Sequence, residues 1–170
     1  FMLRIMDGDP DEKVSMKKKI MTHREGSFTL ESSFKMEEAK SGFYYELTGD
    51  KKVIVRLETV GNQVCYKDKK GALVPVASYM PNINCGIKVD VDLKTKNVTV
   101  TVSNTQPKTV PFQEDTTLID GIEIGTSKES EMIIYLNYVY AYINYLAFDR
   151  FMTVNPGETP SGWNKGDYIS

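Results

Sequence analysis

Histidine, tryptophan and cysteine are almost missing from this chain: among 170 residues there are one His, one Trp and two Cys. The lone His23 has no Ser or Cys partner in a nucleophile motif such as Gly-x-Ser-x-Gly, so no nucleophile–base pair is legible. It reads as a surface or turn residue. Cys65 and Cys85 form no Cys-x-x-Cys and cannot close a thiolate metal site by themselves. They fit either a single bridge in a secreted chain or two buried free thiols. Excess positive charge is absent too: the formal net charge is −2, and the longest basic run is Lys17-Lys18-Lys19. A polyanion needs a basic field to steer onto, so nucleic acid is not an expected partner. No apolar run is long and clean enough for a bilayer span. The most hydrophobic window, residues 132–148, contains Asn137, Asn144 and five tyrosines. The opening Phe-Met-Leu-Arg lacks the charged start and long apolar core of a signal peptide, and reads as a mature or excised terminus.

What the chain has is a rhythm of two. Ile87, Val89, Val91 and Leu93 alternate with Lys88, Asp90 and Asp92. After a polar Lys-Thr-Lys-Asn break, Val98, Val100 and Val102 alternate with Thr99, Thr101 and Ser103. Successive side chains of a strand point to opposite faces, so this segment is a β-hairpin with one dry and one wet face. Ser27 to Met36 repeats the pattern, with Phe28, Leu30, Phe34 and Met36 opposed to Thr29, Glu31 and Lys35. Further short runs lie at residues 2–6, 14–22, 43–47, 53–58, 63–67, 73–76, 118–125 and 132–145, separated by turn signals such as Gly49-Asp50, Gly61-Asn62 and Lys70-Gly71. In the run after Gly49-Asp50, Val53, Val55 and Leu57 share one face and Ile54, Arg56 and Glu58 the other. Glu129 and Glu131 ahead of the last run allow a helix start, but its β-branched and aromatic residues favour a strand.

The expected fold is an all-β, antiparallel two-sheet sandwich of jelly-roll type. The expected organisation is a β-sandwich module over residues 1–150, with 151–170 a linker or docked C-terminal tail. That tail is rich in turn residues (Asn155-Pro156-Gly157, Pro160-Ser161-Gly162), and its Trp163 reads as an anchor. Asn97-Val98-Thr99 is a glycosylation sequon, relevant only in a eukaryotic secreted protein.

Several segments resemble the concanavalin A-like lectin/glucanase superfamily, in the laminin-G-like branch attached to bacterial polysaccharide-degrading enzymes. Gly26-Ser27-Phe28-Thr29-Leu30-Glu31 is similar to an early strand of those modules. Residues 44–58, with a Gly-Asp-Lys hairpin, are similar to their central meander. Val89-Asp90-Val91-Asp92-Leu93-Lys94-Thr95-Lys96 resembles their Asp-containing hairpin, and Ile119-Asp120-Gly121-Ile122-Glu123-Ile124 the strand after it. The run from Tyr135 to Tyr142 resembles their closing strand, with Asn137 where many members carry Asp-Asn. The resemblance covers about residues 1–148. It implies a secreted or cell-surface bacterial module that binds a polysaccharide or oligosaccharide, or packs as an accessory beside a catalytic domain of the same parent protein.

Three constellations are candidates for chemistry. Glycan-cleaving members carry two carboxylates across the scissile bond, commonly as Glu-x-Asp-x-x-Glu. The nearest match here is Asp90-Val91-Asp92 with no third acid, and both aspartates belong on a wet face that has nothing to raise a pKa. No catalytic residue is assigned. Asp7, Asp9 and Asp11 are spaced like the first ligands of a calcium loop and are candidates for a structural calcium ion clamping the first strand, against the plainer reading of an acidic turn. The third signal is aromatic. Tyr138, Tyr140 and Tyr142 share one face of the last strand, and Ile133, Val139, Ala141 and Ile143 are expected on its core face. The tyrosine stripe is then either exposed, where sugar rings stack on aromatic faces while nearby polar groups take the hydroxyls, or covered by the tail of residues 149–170. Tyr44 and Glu46 on one strand, with Arg56 and Glu58 on the next, form a second candidate surface. The ligand-binding candidates are therefore Tyr44, Glu46, Arg56, Glu58, Tyr138 and Tyr140. The rival readings are a purely structural sandwich docked on a neighbouring domain, and a glycoside hydrolase or lyase domain.

Overall fold

The computed structural model describes residues 3–8, 11, 13–127 and 131–144. Among them are twelve strands: β1 Leu3–Asp7, β2 Ser15–His23, β3 Ser27–Met36, β4 Phe43–Gly49, β5 Lys52–Val60, β6 Gln63–Lys67, β7 Leu73–Ser78, β8 Cys85–Asp92, β9 Asn97–Val102, β10 Lys108–Pro111, β11 Ile119–Thr126 and β12 Met132–Asn144. They pair antiparallel in two six-stranded sheets, ordered β1-β12-β3-β8-β9-β10 and β2-β11-β4-β5-β6-β7. The jelly-roll sandwich expected from the alternation is what forms. Residues 132–144 are strand rather than helix, and no described helix is long and apolar enough to cross a membrane. Tail residues 151–170, Trp163 included, lie outside the described residues.

The two inner faces interdigitate. Phe28, Leu30, Phe34 and Met36 of β3 and Val89 and Val91 of β8 meet Tyr45 and Leu47 of β4, Leu57 of β5 and Ile122 and Ile124 of β11. Phe34 packs edge-on against Phe43 with ring centroids 5.1 Å apart, and Phe43 likewise against Tyr45. Each such side chain contributes roughly 1.5–3 kcal/mol by leaving water. Within this core the Ser32 and Tyr45 hydroxyls meet across the two sheets at 3.0 Å. The β8–β9 hairpin turns on Asp92, whose Oδ1 accepts the Lys94 and Thr95 amides, with Lys96 at φ 54°.

Two β-bulges change which residues share a face. The β4–β5 register shifts between Leu47 and Thr48, and Ile54 turns inward to full burial instead of joining Arg56 and Glu58 outside. In β12 the register against β3 shifts between Leu136 and Tyr138. Ile134 and Leu136 face the core before the shift, and Val139, Ala141 and Ile143 lie beside inward-facing Ser32, Leu30 and Phe28 after it. Ile133 is therefore on the opposite face from Val139, not with it. β10, which strand periodicity missed, is four residues long with only Val110 and its parity to betray it.

Candidate functional site

The outer face of the second sheet carries a closed ionic network. Alternation along β4 and β5 sends Tyr44, Glu46, Arg56 and Glu58 outward, and register sets Tyr44 opposite Glu58 and Glu46 opposite Arg56. Arg56 donates to Glu58 at 2.9 Å through Nε, to Glu46 at 3.2 Å through Nη1, and to the Ser127 hydroxyl at 3.0 Å through Nη2. Ser127 in turn donates to the other Glu58 oxygen at 3.0 Å. The guanidinium carbon lies 3.8 Å from the Tyr44 ring centroid. The Tyr44 hydroxyl donates to Glu123 at 2.6 Å, and Lys17 and Lys13 pair with the same carboxylate.

All four predicted residues of this surface are brought together, but they are turned on one another. Tyr44 is 1 % exposed, and Arg56 covers its ring, so it offers no platform for a sugar. Burial raises the Tyr44 phenol far above its ordinary range, helped by the hydrogen bond to Glu123 and by that residue's charge. Burial pushes the Glu123 carboxyl up, but hydrogen bonds from Tyr44 and Lys17 and the charges of Lys13 and Lys17 outweigh it and hold the group below the usual carboxylate range. Glu123, Ser127 and Lys17 were not legible as members, because only the non-local pairing of β11 with β4 and β2 delivers them. The one local hint is Gly121-Ile-Glu-Ile-Gly125, a glutamate whose same-face neighbours have no side chain.

On the outer face of the first sheet three tyrosines of β12 are solvent-accessible. Tyr138, Tyr140 and Tyr142 project there, 39 %, 61 % and 40 % exposed. The Tyr138 and Tyr140 rings stack, centroids 5.2 Å apart and planes at 22°. Tyr142 donates its hydroxyl to Glu31 at 2.7 Å, and Thr29 donates to Asp90 at 2.6 Å. Beyond Leu136, where β1 ends its pairing, no described strand pairs with that edge of β12, β3 flanking only the other, and the inward-facing Val139 is still 38 % exposed. Asp90 and Asp92 lie on this wet face, as read from the alternation. Asp92 is held below its usual range first by the Thr95 amide, with desolvation opposing.

Asp7 is 5 % exposed, and its Oδ2 accepts the Thr126 hydroxyl. Asp11 is exposed, and Asp9 lies outside the described residues. An open cavity of about 610 Å³ adjoins Asp7, lined also by Met6, Glu37, Glu38, Lys40 and Met132. Among the described residues no group of three His, Cys, Asp or Glu converges to hold a metal ion. Cys65 and Cys85 are both buried and unbridged.

No protein-family model matches the chain, and no curated protein matches it. Solved structures do. A sialidase matches with a TM-score of 0.74 at 12 % identity, over 84 % of this chain and 15 % of its own. Galectin-Ib of Xenopus laevis matches at 0.53 and 14 %, over 76 % of this chain and 100 % of its own. An alginate lyase from Corynebacterium sp. matches at 0.54 and 10 %, over 70 % of this chain and 59 % of its own. The chain has the concanavalin A-like jelly-roll fold. Identities this low establish the concanavalin A-like sandwich and nothing about its ligand. The chain spans about one seventh of the sialidase it matches.

Proposed function

We propose that this chain is a non-catalytic glycan-binding module of a larger secreted, polysaccharide-acting protein, and that the Tyr138–Tyr140 face is its platform. The observation that carries this reading is the stacked, solvent-facing tyrosine pair whose cross-strand neighbours on β3 are polar, with Glu31 and Tyr142 beside it. The C–H faces of a pyranose pack on aromatic rings, and carboxylates and hydroxyls at the ring edge take its OH groups. The names of the similar structures support a sugar ligand: sialidase, alginate lyase and galectin. The small share of the sialidase that the fold fills supports a module within a larger protein.

The ionic network favours binding over turnover. A general acid needs a carboxyl raised toward neutrality. Glu123 is lowered instead, and Glu46 and Glu58 are both engaged by Arg56. A second reading rests on the open edge of β12, where Val139 and the tyrosines stand exposed together: a structural module that docks this edge on a neighbouring domain of its parent protein.

Affinity electrophoresis through gels containing neutral, amino and acidic polysaccharides separates these readings. The glycan-binding module is retarded by at least one of them, and Tyr140→Ala abolishes the retardation while the melting temperature holds. Absence of retardation in every gel favours the docking module. Turnover of a polysaccharide that disappears in Asp90→Asn identifies an enzyme and overturns both.

A further inference from the structure

We propose that the glycan taken by the Tyr138–Tyr140 platform carries amino groups: an amino-sugar polymer rather than a uronate or sialate. The inference rests on the glycan-binding reading and names its ligand class. Strand register arranges the platform in cross-strand rows, with Tyr138 beside Ser33, Tyr140 beside Glu31 and Lys88, and Tyr142 beside Thr29 and Asp90.

The charges of this face are mostly matched. Lys88 pairs with Asp90 at 3.5 Å. Past the Asn137 bulge, Lys35 sits 5.1 Å over the Tyr135 ring, whose hydroxyl donates to Glu37 at 2.9 Å. Glu31 is different. Its carboxylate is held by the Tyr142 hydroxyl at 2.7 Å, and among the described residues no Lys or Arg forms an ion pair with it. The Tyr142 phenol registers the resulting field. It is raised above its ordinary range first by donating to Glu31, then by desolvation and by the charges of Glu31 and Asp90.

A ligand stacked on Tyr140 therefore meets one unbalanced negative charge and two electron-rich ring faces. An ammonium group gains from both, through a charge-assisted hydrogen bond and cation–π attraction. A neutral sugar keeps only stacking and ordinary hydrogen bonds. A uronate or sialate carboxylate is repelled by both. The ranking is amino, then neutral, then acidic.

The test is isothermal titration of the whole chain with three oligosaccharides of equal length: a glucosamine oligomer, its N-acetylated counterpart and an oligoalginate. It is run at mildly acidic pH and low salt. We expect the glucosamine oligomer to bind about threefold or more tighter than the acetylated one, as a single exposed ion pair supplies. We expect the preference to shrink in high salt, and the oligoalginate to give no heat. Glu31→Gln erases the preference for the glucosamine oligomer over its acetylated counterpart; should that variant misfold, the wild-type comparison decides alone. Equal affinity for the amino and acetylated oligomers, or tighter binding of the oligoalginate, overturns the ligand class and leaves the glycan reading standing. Silence toward all three, together with no retardation in any polysaccharide gel, removes both.

Discussion

The central guanidinium carbon of Arg56 lies 3.8 Å from the Tyr44 ring centroid, and this contact covers a ring that strand alternation sends to the outer face. The same Arg56 bridges Glu46 and Glu58 and offsets their mutual repulsion, at 3.2 and 2.9 Å from its nitrogens, in a site where its side chain is only 19 % exposed. Replacing it with Ala uncovers the ring and leaves two carboxylates facing each other without their cation. The expected loss is about 2 kcal/mol, below the range for fully buried pairs because water reaches this one. Urea unfolding of Arg56→Ala should show a lower midpoint with an unchanged slope. Arg56→Lys should recover only part, since an ammonium cannot bond both carboxylates and Ser127 from one plane.

Glu123 makes the acid limb of stability. Its folded pKa lies below the ordinary carboxyl value, so its contribution is complete above the unfolded pKa and is lost as pH falls through the folded one. Glu123→Gln should cost roughly 1 kcal/mol near neutrality, because solvent screens the two lysines, and almost nothing at strongly acidic pH. Urea midpoints of the two proteins should converge as pH falls. Parallel curves across the acid range would contradict the assignment.

How much of this was legible follows from how far each feature reaches along the chain. The β8–β9 hairpin and β3 were plain, because alternation of Val with Thr, or Phe with Lys, states the buried face residue by residue. The grouping of Tyr44, Glu46, Arg56 and Glu58 was legible for the same reason, since one tight hairpin joins β4 to β5. The bulges were not. Ile54 sits between Val53 and Val55, and Asn137 interrupts a run apolar on both parities, so no local contrast marks the change of face. Glu123 and Lys17 joined the network only through strand pairings that skip over much of the chain. The burial of Tyr44 needed side-chain packing, which a two-residue rhythm does not encode. That Tyr138, Tyr140 and Tyr142 share one face did follow from parity, because β12 keeps one register from Tyr138 onward; the exposure and stacking of the rings did not.

The two thiols should be inert in the native protein. Burial pushes Cys85 up to about 11, against a weaker lowering by the Ser103 hydroxyl 3.9 Å away. Burial and then the charge of Glu58 raise Cys65, with Lys108 opposing. Thiolate is the reactive form, so a disulfide reagent near pH 8 should label neither cysteine quickly and both once the chain is unfolded. The linkage runs the other way from Glu123: the Cys85 contribution is intact below the unfolded thiol pKa and is lost as pH rises through about 11. Rapid native labelling of Cys85 would mean that β8 opens far more readily than its burial implies.

Gly49 closes β4 against the loop that leads into β11. A Cβ placed there would collide with the Leu118 carbonyl, which is backbone and cannot rotate away. Gly49→Ala must therefore shift either the end of β4 or the start of β11, and should destabilise the fold by about 3 kcal/mol. Gly8→Ala is the matched control, because a Cβ at Gly8 meets nothing within 4 Å. It should move stability by less than about 0.5 kcal/mol. Thermal melts of the two variants should separate clearly. Equal melting temperatures would show that the β4–β11 junction yields at little cost.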